Sequence, residues 1–211
     1  MYKDITGIIL SGGNNKRMGM NKSLLKIGDK TIIERVRDQI QEIFKDVILI
    51  TNTPDEYKFL DLPIYYDLFK RKGPLAGIHS GLTHSSSEKI FIISCDLPFI
   101  IPEMIKYLID FNTEKLITVA KADGYIQQLA GKYSKDCVYE AEKILNEQLS
   151  VEKKGGNQKK KNISALKLIE QVGAEIMPVE NLPFYNKNLY FNVNSTADYS
   201  LLQEKLNLIG L

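Results

Sequence analysis

The sequence predicts an α/β fold in which a mostly parallel sheet is covered by helices on both faces. Apolar runs alternate with segments of helical period along the chain, which is typical of this class. The apolar run at residues 7–10 is too short for an average helix, and the run at 89–94 looks the most buried. The chain has 211 residues, 44% hydrophobic and 26% charged, so we expect a single globular domain over residues 1–211.

The predicted elements follow in order. Strands are expected at about residues 7–10, 47–51, 64–66, 89–94, 116–120, 127–133 and 175–179, with an edge segment at 190–193. A helix begins at residue 31, because Thr31 and Glu34 have capping-box spacing. Further helices are expected at about 55–60, 74–84, 102–111, 135–149, 163–171 and 196–206. Residues 152–162 are rich in lysine, glycine and asparagine and contain no apolar residue, which predicts a mobile loop.

Composition and charge argue against several classes of function. A net charge of +2 provides no basic field, so nucleic acid is not an expected partner. No apolar run has the length of a membrane span and no signal peptide is recognisable, so we expect a cytoplasmic protein without membrane association. The two cysteines, Cys95 and Cys137, are too few for a disulfide framework. His79 and His84 are expected on the surface or in a groove rather than as metal ligands.

The segment 8–23 carries the strongest functional signal. Its apolar strand runs into Gly12 and Gly13, whose missing Cβ atoms allow backbone N–H groups to approach a ligand closely. Arg17 and Lys22 then supply positive charge suited to phosphate oxygens. This pattern predicts a phosphate-binding loop, with an ordinary glycine-rich turn as the alternative.

Two common phosphate motifs do not describe this segment. A P-loop needs a contiguous Gly-Lys-Ser/Thr, whereas Gly19 and Lys22 are separated by two residues. The glycines at 12, 13 and 19 also do not have the G-x-G-x-x-G spacing of dinucleotide-binding folds.

Polar residues follow three of the predicted strands. Asp96 comes after the buried run at 89–94, at the edge where open α/β sheets bind ligands. A carboxylate facing bound phosphate would be neutralised by Mg²⁺, although Asp96 would also suit a cap before Pro98. Asp67 is a second acidic candidate, with a solvated loop residue or a cap at the approach to a helix as the alternatives. Asn52 is placed to hydrogen-bond a ligand, a base or ribose if the phosphate belongs to a nucleotide, with an ordinary polar residue at a strand end as the alternative.

The segment from Leu10 to Lys22 resembles the nucleotidyltransferase signature L-x-G-G-x-x-x-R-M-G-x-x-K. With Asp67 before Gly-Pro-Leu-Ala-Gly-Ile, the stretch 95–99 (Cys-Asp-Leu-Pro-Phe) and the stretch 191–195 (Phe-Asn-Val-Asn-Ser), nearly the whole chain resembles the molybdenum cofactor guanylyltransferase family. The resemblance implies a Rossmann-like three-layer α/β/α fold. It also implies transfer of GMP from GTP to molybdopterin or Mo-molybdopterin, with Mg²⁺ as cofactor and release of pyrophosphate.

The resemblance assigns residues by position. Those implied to bind GTP are Leu10, Ser11, Gly12, Gly13, Lys22, Asn52, Asp67 and Asp96. Asp96 would also hold the metal, and Lys22, Arg17 and Asp96 would be catalytic. The molybdopterin side would include Asn192, Asn194, Lys159 and Lys160. Molybdoenzyme clients or other cofactor-biosynthesis proteins are the further partners implied.

The chain departs from the family pattern at two places. Asn21 stands where the family often has aspartate before the loop lysine, which we expect to alter loop packing rather than chemistry. The late basic pair is Lys159-Lys160 rather than Arg-Arg, so it would attract phosphate without a bidentate grip, or would simply be a solvated charge run.

Two alternative functions stay open on the sequence. A related enzyme would use CTP with molybdopterin, or GTP with cobinamide phosphate or a sugar phosphate. A protein of another class would bind GTP without catalysis and deliver the cofactor to clients, although a purely binding role would not require Asp96 and Lys22.

Overall fold

The computed structural model describes residues 1–12, 21–70, 72–153 and 164–209. The described strands are β1 (Tyr2–Ser11), β2 (Lys26–Ile27), β3 (Lys30–Thr31), β4 (Phe44–Thr51), β5 (Ile64–Tyr65), β6 (Lys89–Ser94), β7 (Ile117–Ala122), β8 (Tyr125–Ser134) and β9 (Glu175–Pro178). The described helices are α1 (Ile32–Ile43), α2 (Pro74–His84), α3 (Pro102–Asp110), α4 (Cys137–Lys153), α5 (Ala165–Val172) and α6 (Thr196–Ile209), with 3₁₀ turns at Lys22–Leu24 and Pro54–Leu60.

The described strands build a seven-stranded sheet in the order β5-β4-β1-β6-β8-β7-β9, beside a small β2–β3 hairpin. The neighbours from β5 to β6 are parallel, β8 runs antiparallel to β6 and β7, and β9 is parallel to β7. Helices cover both faces, so the predicted three-layer, mostly parallel α/β/α fold is confirmed.

Alternating side chains of the central strands divide the core into two layers. Ile9 and Ile93 lie in the layer packed by α1 and α3. Ile8 and Ile92 face the opposite layer, which is formed with α2, α4 and α5. Both faces of these strands are therefore buried, which explains why their sequences read as continuous apolar runs.

Local signals fix several element ends. The capping box at α1 is confirmed, because Glu34 N donates to Thr31 Oγ1 and Thr31 N donates to Glu34 Oε2. Asp123 and Gly124 both have positive φ, at 51° and 81°, and form the two-residue turn between β7 and β8. The capping bonds from Thr31 lower the pKa of Glu34.

The structure corrects some of the predicted elements. The edge segment 190–193 is wrong as a strand, because it is a turn followed by irregular chain that docks through a bond from Val193 N to Asp96 O (3.3 Å). The predicted mobile loop 152–162 is wrong at its start, since α4 continues to Lys153, and residues 154–162 lie outside the described residues. His79 is buried, only 4% exposed, in the packed α2 layer.

A third, smaller apolar cluster lies apart from the two main layers. It joins Ile27 of the hairpin and Ile32 of α1 to Val193 and to Leu202 of α6. Tyr199 Oη also donates to Lys26 O (2.6 Å), which fastens α6 to the hairpin. This cluster brings the late segment 191–195 back against the beginning of the chain.

No described helix has the combined length and hydropathy needed to cross a membrane.

Candidate functional site

A crevice opens at the carboxyl ends of β1 and β6. These strands are neighbours, with Leu10 opposite Ser94, but the chain leaves β1 towards β4 on one side and reaches β6 on the other. Such a switch point is where open α/β sheets bind ligands. Gly12, Asn52 and Asp96, which follow three of the parallel strands, therefore share one edge of the sheet.

Asp96 lies at this crevice with an unused oxygen. Its Oδ1 is buried and has no hydrogen-bond partner among the described residues. Burial raises the pKa of Asp96, while hydrogen bonds from Ser94 and its own backbone, together with the charge of Lys22, oppose that rise. A buried carboxylate oxygen without a partner is costly, so this atom is suited to a ligand such as a cation.

Lys22 approaches the same place from the segment after β1. Its side chain is buried, at 9% exposure, and Nζ donates to the backbone carbonyl of Asn194. Lys22 begins the 3₁₀ turn Lys22–Leu24, which Asn21 caps by accepting a hydrogen bond from Ser23 N. The turn thus directs a buried cation towards the late segment, which Val193 N joins to Asp96 O.

A second polar group lies beside Gly12. Asn52 Nδ2 donates to Asp67 Oδ2 (2.6 Å), and burial raises the pKa of Asp67 while this bond opposes the rise. A Cβ added to Gly12 would lie 4.0 Å from Asp67 Oδ2, and one added to Gly77 would lie 3.7 Å from Oδ1. The carboxylate therefore lies between the backbone after β1 and the first turns of α2.

Tyr57 is a site residue that sequence reasoning missed. The residue is only 1% exposed. Its hydroxyl accepts hydrogen bonds from Ser11 Oγ (2.6 Å) and Asn21 Nδ2 (2.6 Å) and lies 2.9 Å from Ser23 Oγ. The sequence offered only the spacing of Tyr57 and Leu60 on a short helix. That spacing predicts burial but not which polar groups the hydroxyl meets.

The structure brings together most of the sequence-predicted site residues. The strand ends bring Leu10, Ser11, Gly12, Asn52, Asp67 and Asp96 to one edge, and Lys22 reaches the same crevice. Asn194 meets Lys22 through its backbone carbonyl, and Asn192 Nδ2 donates to Tyr190 O (3.4 Å) two residues from that contact. Gly13, Arg17, Lys159 and Lys160 lie outside the described residues.

The structure does not contain a ready-made metal cage within its described residues. No three or more histidine, cysteine, aspartate or glutamate side chains there are grouped to hold a metal. The neighbouring thiol of Cys95 is buried, which raises its pKa to about 12 and keeps it neutral. Any metal at Asp96 would therefore have to share its coordination with a ligand.

The side chain at position 21 must donate hydrogen bonds to its neighbours Glu56 and Tyr57, which asparagine can do and aspartate cannot. Asn21 Nδ2 donates to Glu56 Oε2 (2.5 Å) as well as to Tyr57. We expect Asn21→Asp to lower the free energy of unfolding by about 1–2 kcal/mol, because a carboxylate there repels Glu56 and removes a donor from the Tyr57 hydroxyl. Urea denaturation of the variant measures this loss.

Glu56→Gln supplies the matched control for that prediction. Glu56 is exposed, so the single change should leave stability nearly unaltered, whereas in the Asn21→Asp background it should restore part of the loss. An Asn21→Asp protein as stable as the parent would contradict the assigned contacts.

The class of protein, a nucleotidyltransferase, is shown by a family model, and the three-layer fold with its switch-point crevice agrees with it. Residues 7–158 match the family model described as MobA-like NTP transferase domain, and the chain belongs to this family.

Individual relatives agree with this assignment. The chain is 36% identical over 208 residues to a "Probable molybdenum cofactor guanylyltransferase" of Carboxydothermus hydrogenoformans, covering 98% of both chains. It is 31% identical over 200 residues to a protein of the same name from Clostridium perfringens, covering 93% of this chain and 95% of the relative. Its fold also matches the crystal structure of molybdopterin-guanine dinucleotide biosynthesis protein A from Archaeoglobus fulgidus, with a TM-score of 0.78, 22% identity and coverage of 96% and 99%.

Proposed function

We propose that this enzyme transfers GMP from GTP to molybdopterin, with or without bound molybdenum, and releases pyrophosphate. Two features of the switch-point crevice carry the proposal. The buried Oδ1 of Asp96 has no hydrogen-bond partner among the described residues, and buried Lys22 donates to the carbonyl of Asn194, next to Val193, whose N–H donates to Asp96 O. The relatives named as probable guanylyltransferases support the choice of substrates.

The nucleotide would lie across the carboxyl ends of β1, β4 and β6. The backbone around Ser11 and Gly12 would receive its phosphates, with Gly13 and Arg17 completing the loop in sequence. Asn52 and the carboxylate of Asp67 would hydrogen-bond the nucleoside from the side of α2, since a carboxylate accepts hydrogen bonds from hydroxyl and N–H groups alike.

The chemistry at Asp96 fits a magnesium ion. Mg²⁺ prefers oxygen ligands and typically uses one or two carboxylates together with substrate phosphates. This matches a carboxylate oxygen that, within the described part of the chain, has no hydrogen-bond partner and no cluster of other ligands around it. When bound, the ion would neutralise charge on the triphosphate.

The transfer itself requires positioning more than proton transfer. An oxygen of the terminal phosphate of molybdopterin would attack the α-phosphorus of GTP. A new O–P bond forms while the bond from the α-phosphorus to the bridging oxygen breaks, and pyrophosphate leaves with that electron pair. A phosphate monoester has a second pKa of about 6 and is mostly ionised at neutral pH, so no general base is needed. Lys22 would offset negative charge that accumulates on the phosphates.

The acceptor would enter from the side of the late segment. Asn192 and Asn194 lie on the chain that Val193 N fastens to Asp96 O (3.3 Å), next to the Lys22 contact. Molybdopterin bound there would present its phosphate to the crevice from the side opposite Asp67. Lys159 and Lys160 would attract that phosphate.

Pyrophosphate release tests this proposal. The purified protein is mixed with Mg²⁺, one nucleotide (GTP, CTP or UTP) and one acceptor (molybdopterin, cobinamide phosphate or a sugar phosphate), with EDTA as the metal-free control. Binding of GTP is measured in parallel by calorimetry. We expect release with GTP at least about 10-fold faster than with CTP, in line with the discrimination that base contacts provide, and no release in EDTA. Three outcomes would overturn the proposed function. Faster reaction with CTP would indicate a cytidylyltransferase, and reaction only with cobinamide phosphate or a sugar phosphate would indicate an enzyme with that acceptor. GTP binding without pyrophosphate release would indicate a non-catalytic delivery protein.

A further inference from the structure

We propose that Tyr57 is a positioning residue for Lys22, in that its buried hydroxyl holds together the two ends of the segment 12–20 and fixes the backbone from which Lys22 projects. This inference rests on the function proposed above for its kinetic consequence, but its structural part can be tested separately.

Donor and acceptor can be assigned in each hydrogen bond around the Tyr57 hydroxyl. Ser11 and Asn21 donate to the phenolic oxygen and use both of its lone pairs. Ser23 Oγ donates to Asn21 Oδ1 (2.8 Å), so its own hydrogen is used and Tyr57 must donate to Ser23. Every polar atom in this four-residue group is thereby satisfied, which makes the group rigid.

This network ties together positions far apart in sequence. Ser11 is the last residue of β1, whereas Asn21 and Ser23 follow the segment 12–20 and flank Lys22 on both sides. The ring of Tyr57 is held in the core layer packed by α1 and α3, so its oxygen has a fixed location. The backbone of Lys22 is therefore anchored to the end of β1 through one phenolic oxygen.

The anchored backbone determines where the lysine charge lies. The turn is closed by bonds from Leu24 N to Asn21 O and from Leu25 N to Lys22 O, both 3.1 Å. From this turn Lys22 Nζ reaches Asn194 O, next to Val193, whose N–H donates to Asp96 O (3.3 Å). A displacement of Lys22 by up to about 1 Å would weaken its contact with the transition state, because such contacts depend steeply on position.

Tyr57→Phe removes only the oxygen and keeps the buried ring. We expect this variant to lose about 10-fold in kcat/KM, a typical cost of loosening one positioned catalytic group. Tyr133→Phe is the matched control, because Tyr133 is also fully buried and its hydroxyl makes a 2.5 Å bond to Gln128 O, in the other core layer. The control should lose comparable thermal stability and keep the parent kinetics.

A double-mutant cycle separates positioning from a general structural role. If Tyr57 acts through Lys22, Tyr57→Phe should cost less than about 2-fold in a Lys22→Met background, since the group that it positions is already gone. Fully additive losses, or equal kinetics for the Tyr57 and Tyr133 variants, would overturn the inference.

Hydrogen exchange gives a readout that does not depend on the reaction. In Tyr57→Phe the amides of Leu24 and Leu25 should exchange at least about 10-fold faster than in the parent and in Tyr133→Phe, because local opening of the turn becomes easier. Unchanged exchange overturns the inference. If instead the parent protein releases no pyrophosphate with any nucleotide, the proposed function is wrong, while exchange still decides whether Tyr57 holds this turn.

Discussion

Asp96→Asn should lower the rate of pyrophosphate release by at least about 10²-fold, the typical cost of losing one charge stabiliser. The amide has nearly the shape of the carboxylate but lacks its charge, so the change removes the proposed cation ligand without leaving a cavity. The structural basis is the buried Oδ1 without a partner among the described residues. A titration of Mg²⁺ against rate should show that the variant gains no activity at any metal concentration that saturates the parent.

The stability of the Asp96 variant distinguishes this effect from misfolding. Burial raises the pKa of Asp96, which means that the fold disfavours the charged carboxylate. A neutral amide should therefore melt at the same temperature as the parent or slightly above it. Asp46→Asn, at an exposed position on β4, serves as the control that should change neither rate nor melting temperature. An Asp96→Asn enzyme within a few-fold of the parent rate would contradict the role assigned to Asp96.

Lys22→Met should also cost at least about 10²-fold in kcat/KM, because it keeps the apolar stem but removes the charge that faces the phosphates. Lys22 is buried, and its Nζ donates to Asn194 O, next to Val193, whose N–H donates to Asp96 O. Steady-state kinetics with GTP varied at saturating molybdopterin measure the loss. We expect kcat to fall more than KM rises, because charge accumulates on the phosphates in the transition state.

Lys26→Ala provides the matched control for the lysine prediction. Lys26 lies four positions further along the chain, is exposed, and contributes its backbone carbonyl rather than its side chain to the contact with Tyr199. Its replacement should leave the kinetics unchanged. Equal losses in the Lys22 and Lys26 variants would indicate a general electrostatic effect and would rule out a specific role for Lys22.

The main features of the fold could be predicted because local signals and the global arrangement agree. The apolar runs of β1 and β6 are buried on both faces, so their burial is visible directly in the sequence. Thr31 and Glu34 specify the start of α1 through a contact three residues apart. Such short-range rules do not depend on knowing the tertiary structure.

The details of the site depend on contacts between distant segments and could not be predicted in this way. Ser11 meets Tyr57 across 46 positions, and Lys22 meets the carbonyl of Asn194 across 172. The contact at Asn194 uses the backbone, so the identity of that side chain carries no information about it. The sequence predicts an edge segment at 190–193, but Phe191 and Val193 pack in the small cluster with α6, and Tyr190 packs in the layer of α1 and α3.

The proposed function requires that a nucleoside triphosphate lie beside Gly12 and Lys22 and that Asp96 hold it through a divalent cation. Calorimetric titration of GTP into the parent and into Asp96→Asn, each with Mg²⁺ and with EDTA, tests it most directly. We expect Mg²⁺ to strengthen GTP binding to the parent by about 10-fold or more and to have little effect on the variant, since only the parent carries the ligand for the ion. The same gain from Mg²⁺ in both proteins would contradict it.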